Sequence, residues 1–189
     1  MEKAIKNREI FDLYDLMLEQ VRDLYDGERQ QLNFLLEAEK RTTAFELDET
    51  INMHRRETKR QLDRLDKVFH MLEEEPTGEA CEGISGIISD TMKLTDRCQN
   101  PEVRDAALIT AIQHINHYEI AGYGTAIAYA KAHDRHDIGE ILLETLREEK
   151  KADMGLSDLA ENYINPDAKW TALVEKVEGK KSIKNTRNN

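Results

Sequence analysis

The chain has 189 residues, 39% of them hydrophobic, a formal net charge of −11, and no apolar run approaching the ~18 residues of a bilayer span. That length sets a prior of one domain large enough to bury a real core. The acidic balance argues against nucleic acid or an anionic membrane as the main partner, because both demand a positive footprint. Two cysteines, Cys81 and Cys98, are too few for a disulfide scaffold, and MEKAIKNREIFD at the N-terminus has no apolar signal core. A reduced, cytoplasmic protein is expected.

Three prolines and nine glycines, with abundant Leu, Glu, Lys, Arg and Ala, favour helix throughout. The first helix is predicted over about residues 9–41, with Leu13, Met17, Val21, Leu24, Leu32 and Leu35 on its apolar stripe. The second follows over about 45–74, carrying Leu47, Ile51, Leu62, Leu65, Phe69 and Leu72, and the short connection makes the pair antiparallel. Glu75-Pro76-Thr77-Gly78 is a stop signal. Residues 79–98 read as a short helix or two broken at Gly83 and Gly86, with Ile84, Ile87, Ile88 and Met92 turned towards the rest. Asn100-Pro101 opens the third long helix, Asn as N-cap and Pro at the first helical position, running to about His133. A fourth runs from about Asp137 to Tyr163 and stops at Asn165-Pro166. One more amphipathic stretch, residues 169–177, precedes a polar basic end, 179–189, expected to be disordered. The chain thus divides into a helical domain, 1–165, and an extension, 166–189. Two tightly joined hairpins with a long link over 75–100 give the ferritin-like all-α plan, a four-helix bundle with one crossover.

The chemical signal lies in what interrupts the stripes. Glu28 continues Met17, Val21 and Leu24; Glu119 continues Leu108, Ile112 and Ile115; Glu149 and Asp153 fall between Leu146 and Leu156. On the second helix His54, Glu57 and Gln61 stand between Ile51 and Leu65, Glu57 being one step off the strict stripe. A single such glutamate is usually a solvated edge residue, but four at matched heights need a common cause. Glu28 and Glu119 each lie about 14 residues before a hairpin turn, and Glu57 and Glu149 about 12 after one, so at ~1.5 Å per residue each pair meets at mid-bundle. A dinuclear metal site is the simplest way to neutralise four inward carboxylates. His117 falls about 200° around the helix from Glu119 and is not expected to ligate beside it. The remaining histidines read as surface or helix-end residues. Tyr25, Tyr118 and Tyr123 read as core, with Tyr123, at i+4 from Glu119, also placed to hydrogen-bond a ligand. Gly122 and Gly124 suit close helix approach.

LYDGERQ around Glu28, ETKRQLDRLDKVFHML from Glu57, PEVRDAALITAIQHINHYEIAGYGTAIAYA from Pro101 and ETLREEKKAD from Glu144 resemble the YciE/YciF (DUF892) family of ferritin-like bacterial stress proteins, over roughly residues 10–163. The resemblance implies a rubrerythrin-like or ferritin-like bundle, often a homodimer, with a di-iron centre and a link to stress. On that plan Glu28 and Glu119 are the single glutamates of helices one and three, and Glu57 and Glu149 those of helices two and four. The usual Glu-x-x-His companions are missing, since Arg60 and Ala152 stand there, which leaves His54, Gln61 and Asp153 as replacement ligands. A carboxylate-rich, histidine-poor set favours two iron or manganese ions over structural zinc. With iron, oxidation of Fe(II) by oxygen or peroxide is the expected chemistry. The rival expectation is a non-catalytic stress protein that works by oligomerisation or partner binding, its inner carboxylates forming a hydrogen-bonded, partly protonated cluster. The spacing of Cys81 and Cys98 would permit a bridge without demonstrating one.

Overall fold

A computed structural model describes residues 9–77 and 80–170; the amphipathic stretch beyond 170 and the basic end, 179–189, lie outside the described residues. Five α-helices follow in order: α1 (Leu13–Glu39), α2 (Phe45–Leu72), α3 (Glu82–Thr95), α4 (Pro101–Ala132) and α5 (His136–Leu159). There is no strand among the described residues. α1 starts four residues later than the periodicity predicts because Asp12 caps it, its side chain accepting from Asp15 N. Asn100 caps α4 as expected, accepting from Glu102 N and Val103 N, with Pro101 in the first turn.

α1, α2, α4 and α5 form the bundle, α1 packing on α2 and α4, and α5 on α4 and α2. Side-chain pairs set their directions. Arg22–Glu74 and Arg55–Glu39 run α1 against α2, and Tyr118–Asp23 with Arg104 Nε–Arg41 O runs α1 against α4. Arg64–Glu144 and His54–Glu149 run α2 against α5. Helices α2 and α4 are therefore parallel, and the chain must travel the length of the bundle between them. The crossover does so along α1, from Asp26, whose carboxylate accepts from Cys81 N at 2.7 Å, to Arg41, paired with Asp96. This is the ferritin-like connection.

α3 is one unbroken helix, contrary to the break expected at its glycines. Gly83 lies under the Tyr118 ring, where a Cβ would come within 2.5 Å of Cε2, and Gly27 lets Ile84 reach the α1 backbone, its Cδ1 lying 2.8 Å from where a Cβ would stand. The same helix separates the cysteines at its two ends by about 21 Å, far beyond the ~7 Å Cα limit for a disulfide; both thiols are free. Pro166 does not stop the last helix either. A π-helical turn, Ala160–Ile164, in which Asn165 N–H reaches Ala160 O, leads into helical backbone at 165–170. Widening the turn just before a proline relieves the clash of its ring with the preceding turn's carbonyls.

Two apolar cores fill the bundle. One is built on Met17, Val21, Leu24, Leu65, Phe69, Ala126, Ile138 and Leu142. The other is built on Leu35, Ala38, Leu47, Ile51, Ile84, Leu108, Ile112, Ile115 and Leu156. Between them lies a layer of buried polar side chains.

Candidate metal centre

Each bundle helix places its inward residues on an alternating three-and-four series, the 3.5-residue repeat that keeps one seam facing its neighbours. On α1 the series runs Met17, Val21, Leu24, Glu28, Gln31, Leu35, Ala38. On α2 it runs Leu47, Ile51, His54, Thr58, Gln61, Leu65, Val68, Leu72. On α4 it passes through Ile112, Ile115, Glu119, Gly122 and Ala126, and on α5 through Leu142, Thr145, Glu149 and Leu156. The polar members fall at one height, where Glu28, Gln31, Gln61, Asn116, Glu119 and Glu149 are fully buried and His54 is 2% exposed.

The structure thus brings together Glu28, His54, Gln61, Glu119 and Glu149 of the candidate ligands. It leaves the other two outside. Glu57 is half-buried at the α2/α5 seam, 3.8 Å from Arg60 Nη2. Asp153 accepts from Gln113 Nε2 at 3.2 Å and faces the exposed His117 at 3.3 Å, on the α4/α5 surface. Both stand one residue off the series, about 100° around the helix from a core position.

Within the layer every carboxylate has one oxygen held and one left over. Tyr123 Oη donates to Glu28 Oε1 at 2.6 Å. Gln31 Nε2 donates to Glu119 Oε2 at 2.9 Å, and Thr58 Oγ1 donates to Gln31 Oε1 at 3.1 Å. Gln61 Nε2 donates to Glu149 Oε1 at 2.7 Å. Glu28 Oε2, Glu119 Oε1 and Glu149 Oε2, together with Gln61 Oε1, are buried without a hydrogen-bond partner. His54 Nε2 stands 3.6 Å from that free oxygen of Glu149.

The electrostatics follow from this crowding. Burial, then the charge of Glu149, pushes the Glu28 carboxyl well above the usual carboxylate range, against the opposing pull of Tyr123. Burial and the charges of Glu28 and Glu149 do the same to Glu119. Burial opposes a charged His54 ring, but the Glu149 carboxylate beside it outweighs this and raises its pKa. Burial, followed by the charge of Glu28, raises the Tyr123 phenol far above its ordinary value, so it remains a donor.

A buried polar atom with no partner is rare and costly, of order 1–3 kcal/mol each. Three carboxylate oxygens in that state, on groups that repel one another, and an imidazole at their edge form a donor set that suits a hard or borderline divalent cation. As the side chains stand, no group of three His, Cys, Asp or Glu among the described residues converges on a single point. Gln31 and Gln61 hold two of the carboxylates in their present positions.

Gln31, Thr58 and Asn116 escape the sequence reading. Gln31 and Thr58 were open to detection, because both lie on the strict series beside Glu28 and His54. Asn116 lies one step off it and gave no signal. Gly122 makes the close approach expected of it, a Cβ there falling 2.8 Å from Leu24 Cδ2, whereas a Cβ at Gly124 would meet nothing within 4 Å.

A family model described as a domain of unknown function, DUF892, matches residues 12–169. Protein YciF of Escherichia coli (strain K12) is 37% identical over 131 residues, 67% of this chain and 77% of that protein. Among solved structures, YcfI from Rhodopseudomonas palustris superposes with a TM-score of 0.78 at 36% identity, over 80% of this chain and 96% of that one. The E. coli stress protein YciF superposes with a TM-score of 0.78 at 32% identity, over 82% and 99%. A Xanthomonas campestris protein at 18% identity and a TM-score of 0.65 shares the fold.

Proposed function

The chain belongs to the DUF892 family, and from that premise we propose that its buried polar layer binds divalent metal, a dinuclear iron centre being the occupant that the ferritin-like plan favours. The observation that carries this reading is the set of three buried carboxylate oxygens without a hydrogen bond, on Glu28, Glu119 and Glu149, with His54 beside the last. Those four residues would supply the protein ligands, with the partnerless Gln61 Oε1 as a further oxygen donor. Bound iron would supply oxidation of Fe(II) by oxygen or peroxide, in keeping with the stress protein to which the chain is similar.

The chain's own residues prepare the site. Tyr123 orients Glu28 through its hydroxyl, and Gln31 and Gln61 orient Glu119 and Glu149 through their amides, leaving one oxygen of each carboxylate to the cation. The apolar cores above and below exclude water, which strengthens attraction between cation and carboxylate. Manganese in place of iron satisfies the same donor set.

The test is equilibrium dialysis of metal-free protein against Mn(II) under anaerobic conditions. Glu119→Gln should weaken binding at least tenfold, since even residues that only support metal ligands are typically worth ~10–100-fold in affinity. Glu57→Gln and Asp153→Asn, outside the layer, should leave the affinity within about twofold of wild type. Wild-type protein that retains no Mn(II) would contradict the reading and favour a cluster that stays partly protonated without metal.

A further inference from the structure

Every carboxylate of the layer is fully buried, so an ion needs a way in. A groove of about 150 Å³ between α2 and α5 is lined by Thr50, Met53, His54 and Glu57 on one side and Glu148, Lys151, Ala152 and Gly155 on the other. At ~10–15 Å³ of such space per water it has room for a hydrated ion. The hollows along α1/α4, at the α2/α4 end and along α1/α3 have no layer residue on their walls.

The groove is connected to the layer through buried atoms. His54 lines the groove while only 2% exposed, and its Nε2 stands 3.6 Å from Glu149 Oε2, which has no hydrogen-bond partner. The groove's two carboxylates are not equivalent. Glu148 is held by Arg64 at 2.7 Å and by Gln61 Nε2 at 3.2 Å. Glu57 has its ion-pair partner, Arg60 Nη2, at 3.8 Å, which leaves its oxygens the more available to an arriving cation.

We propose that the α2/α5 groove is the port through which a hydrated divalent cation reaches the buried layer, docking first on Glu57 and passing His54 to Glu149. The inference rests on the metal-binding reading and adds to it a route and a role for Glu57 that is not ligation. Glu57 governs the rate of loading and not the final affinity. The geometry also offers a plug. A Cβ at Gly155 meets no atom within 4 Å, so a side chain can begin there without a clash, and Gly155→Leu adds bulk at the groove wall while favouring the helix.

The test follows uptake of Co(II) by metal-free protein in stopped flow, read by its d–d absorbance, beside the end-point stoichiometry at saturation. Glu57→Gln should slow uptake about threefold or more, and Gly155→Leu about tenfold, both reaching the wild-type end point. Asp90→Asn on α3, an equal change of charge away from the groove, should load at the wild-type rate. Wild-type rates in both groove variants would overturn the port. So would a Glu57→Gln variant whose end point falls, since Glu57 would then be a ligand. Wild-type protein that takes up no Co(II) would overturn the metal reading itself, and the port with it.

Discussion

Glu28 and Glu119 keep their protons to higher pH in the folded protein than in the unfolded chain, where a glutamate titrates near 4.5. The folded state then binds more protons, and stability falls as pH rises from that ordinary value through the raised folded ones. His54 acts in the same direction, because its raised pKa contributes stability below its ordinary 6.5 that is lost as pH climbs through the folded value. Metal-free protein in EDTA should therefore unfold more readily at pH 8 than at pH 6. Glu119→Gln removes one of the repelling charges while keeping the side chain's shape. It should raise stability at pH 8 by about 1–3 kcal/mol and flatten the pH slope, as urea unfolding at a series of pH values would report. An unchanged slope would mean that the layer's charges do not govern stability. This gain in the metal-free state, set against the expected loss of metal affinity in the same variant, is the pattern of a site kept for binding at the expense of the empty fold.

At the scale of elements, the bundle is fastened at its ends by side chains that bridge helices. Asp105 of α4 is 1% exposed and accepts from Thr43 N, Ala44 N and Thr43 Oγ1, so it ties α4 to the α1–α2 turn and fixes the backbone just ahead of α2. Asp105→Ala should cost about 2–4 kcal/mol, because it leaves three donors of the turn without their acceptor. A fall in the urea midpoint with unchanged helical content would show it, whereas a loss under about 0.5 kcal/mol would contradict the assignment. The helices themselves were legible in the sequence, because their apolar stripes and the Asn100-Pro101 start depend on local chemistry alone. So were Glu28, Glu119 and Glu149, which continue those stripes in phase. Glu57 and Asp153 were less secure, since matched heights suggested a repeat while their phase, one residue off the series, turned them out of the core. What local pattern could not supply was tertiary: Tyr118 covering Gly83, which keeps α3 whole, and the π-helical turn that carries the chain past Pro166.

At the scale of the whole molecule, the fold is two apolar cores separated by a polar layer, held in place by four helices and closed on the α1/α4 side by the crossover helix α3. A bundle built for stability alone would continue leucines through that level, since replacing buried ionic groups by apolar ones is often neutral or stabilising. The α2/α5 groove reaches the layer at His54, and among the described residues no helix is long and apolar enough to cross a membrane. Metal binding by this layer is the proposed function. The measurement that tests it most directly is elemental analysis of untagged protein after anaerobic loading with Fe(II) and removal of excess, beside the Glu28→Gln/Glu119→Gln double variant. About two iron ions per wild-type chain are expected, and fewer than about half an ion in the variant. No retained iron in the wild type, or equal iron in both proteins, would contradict it.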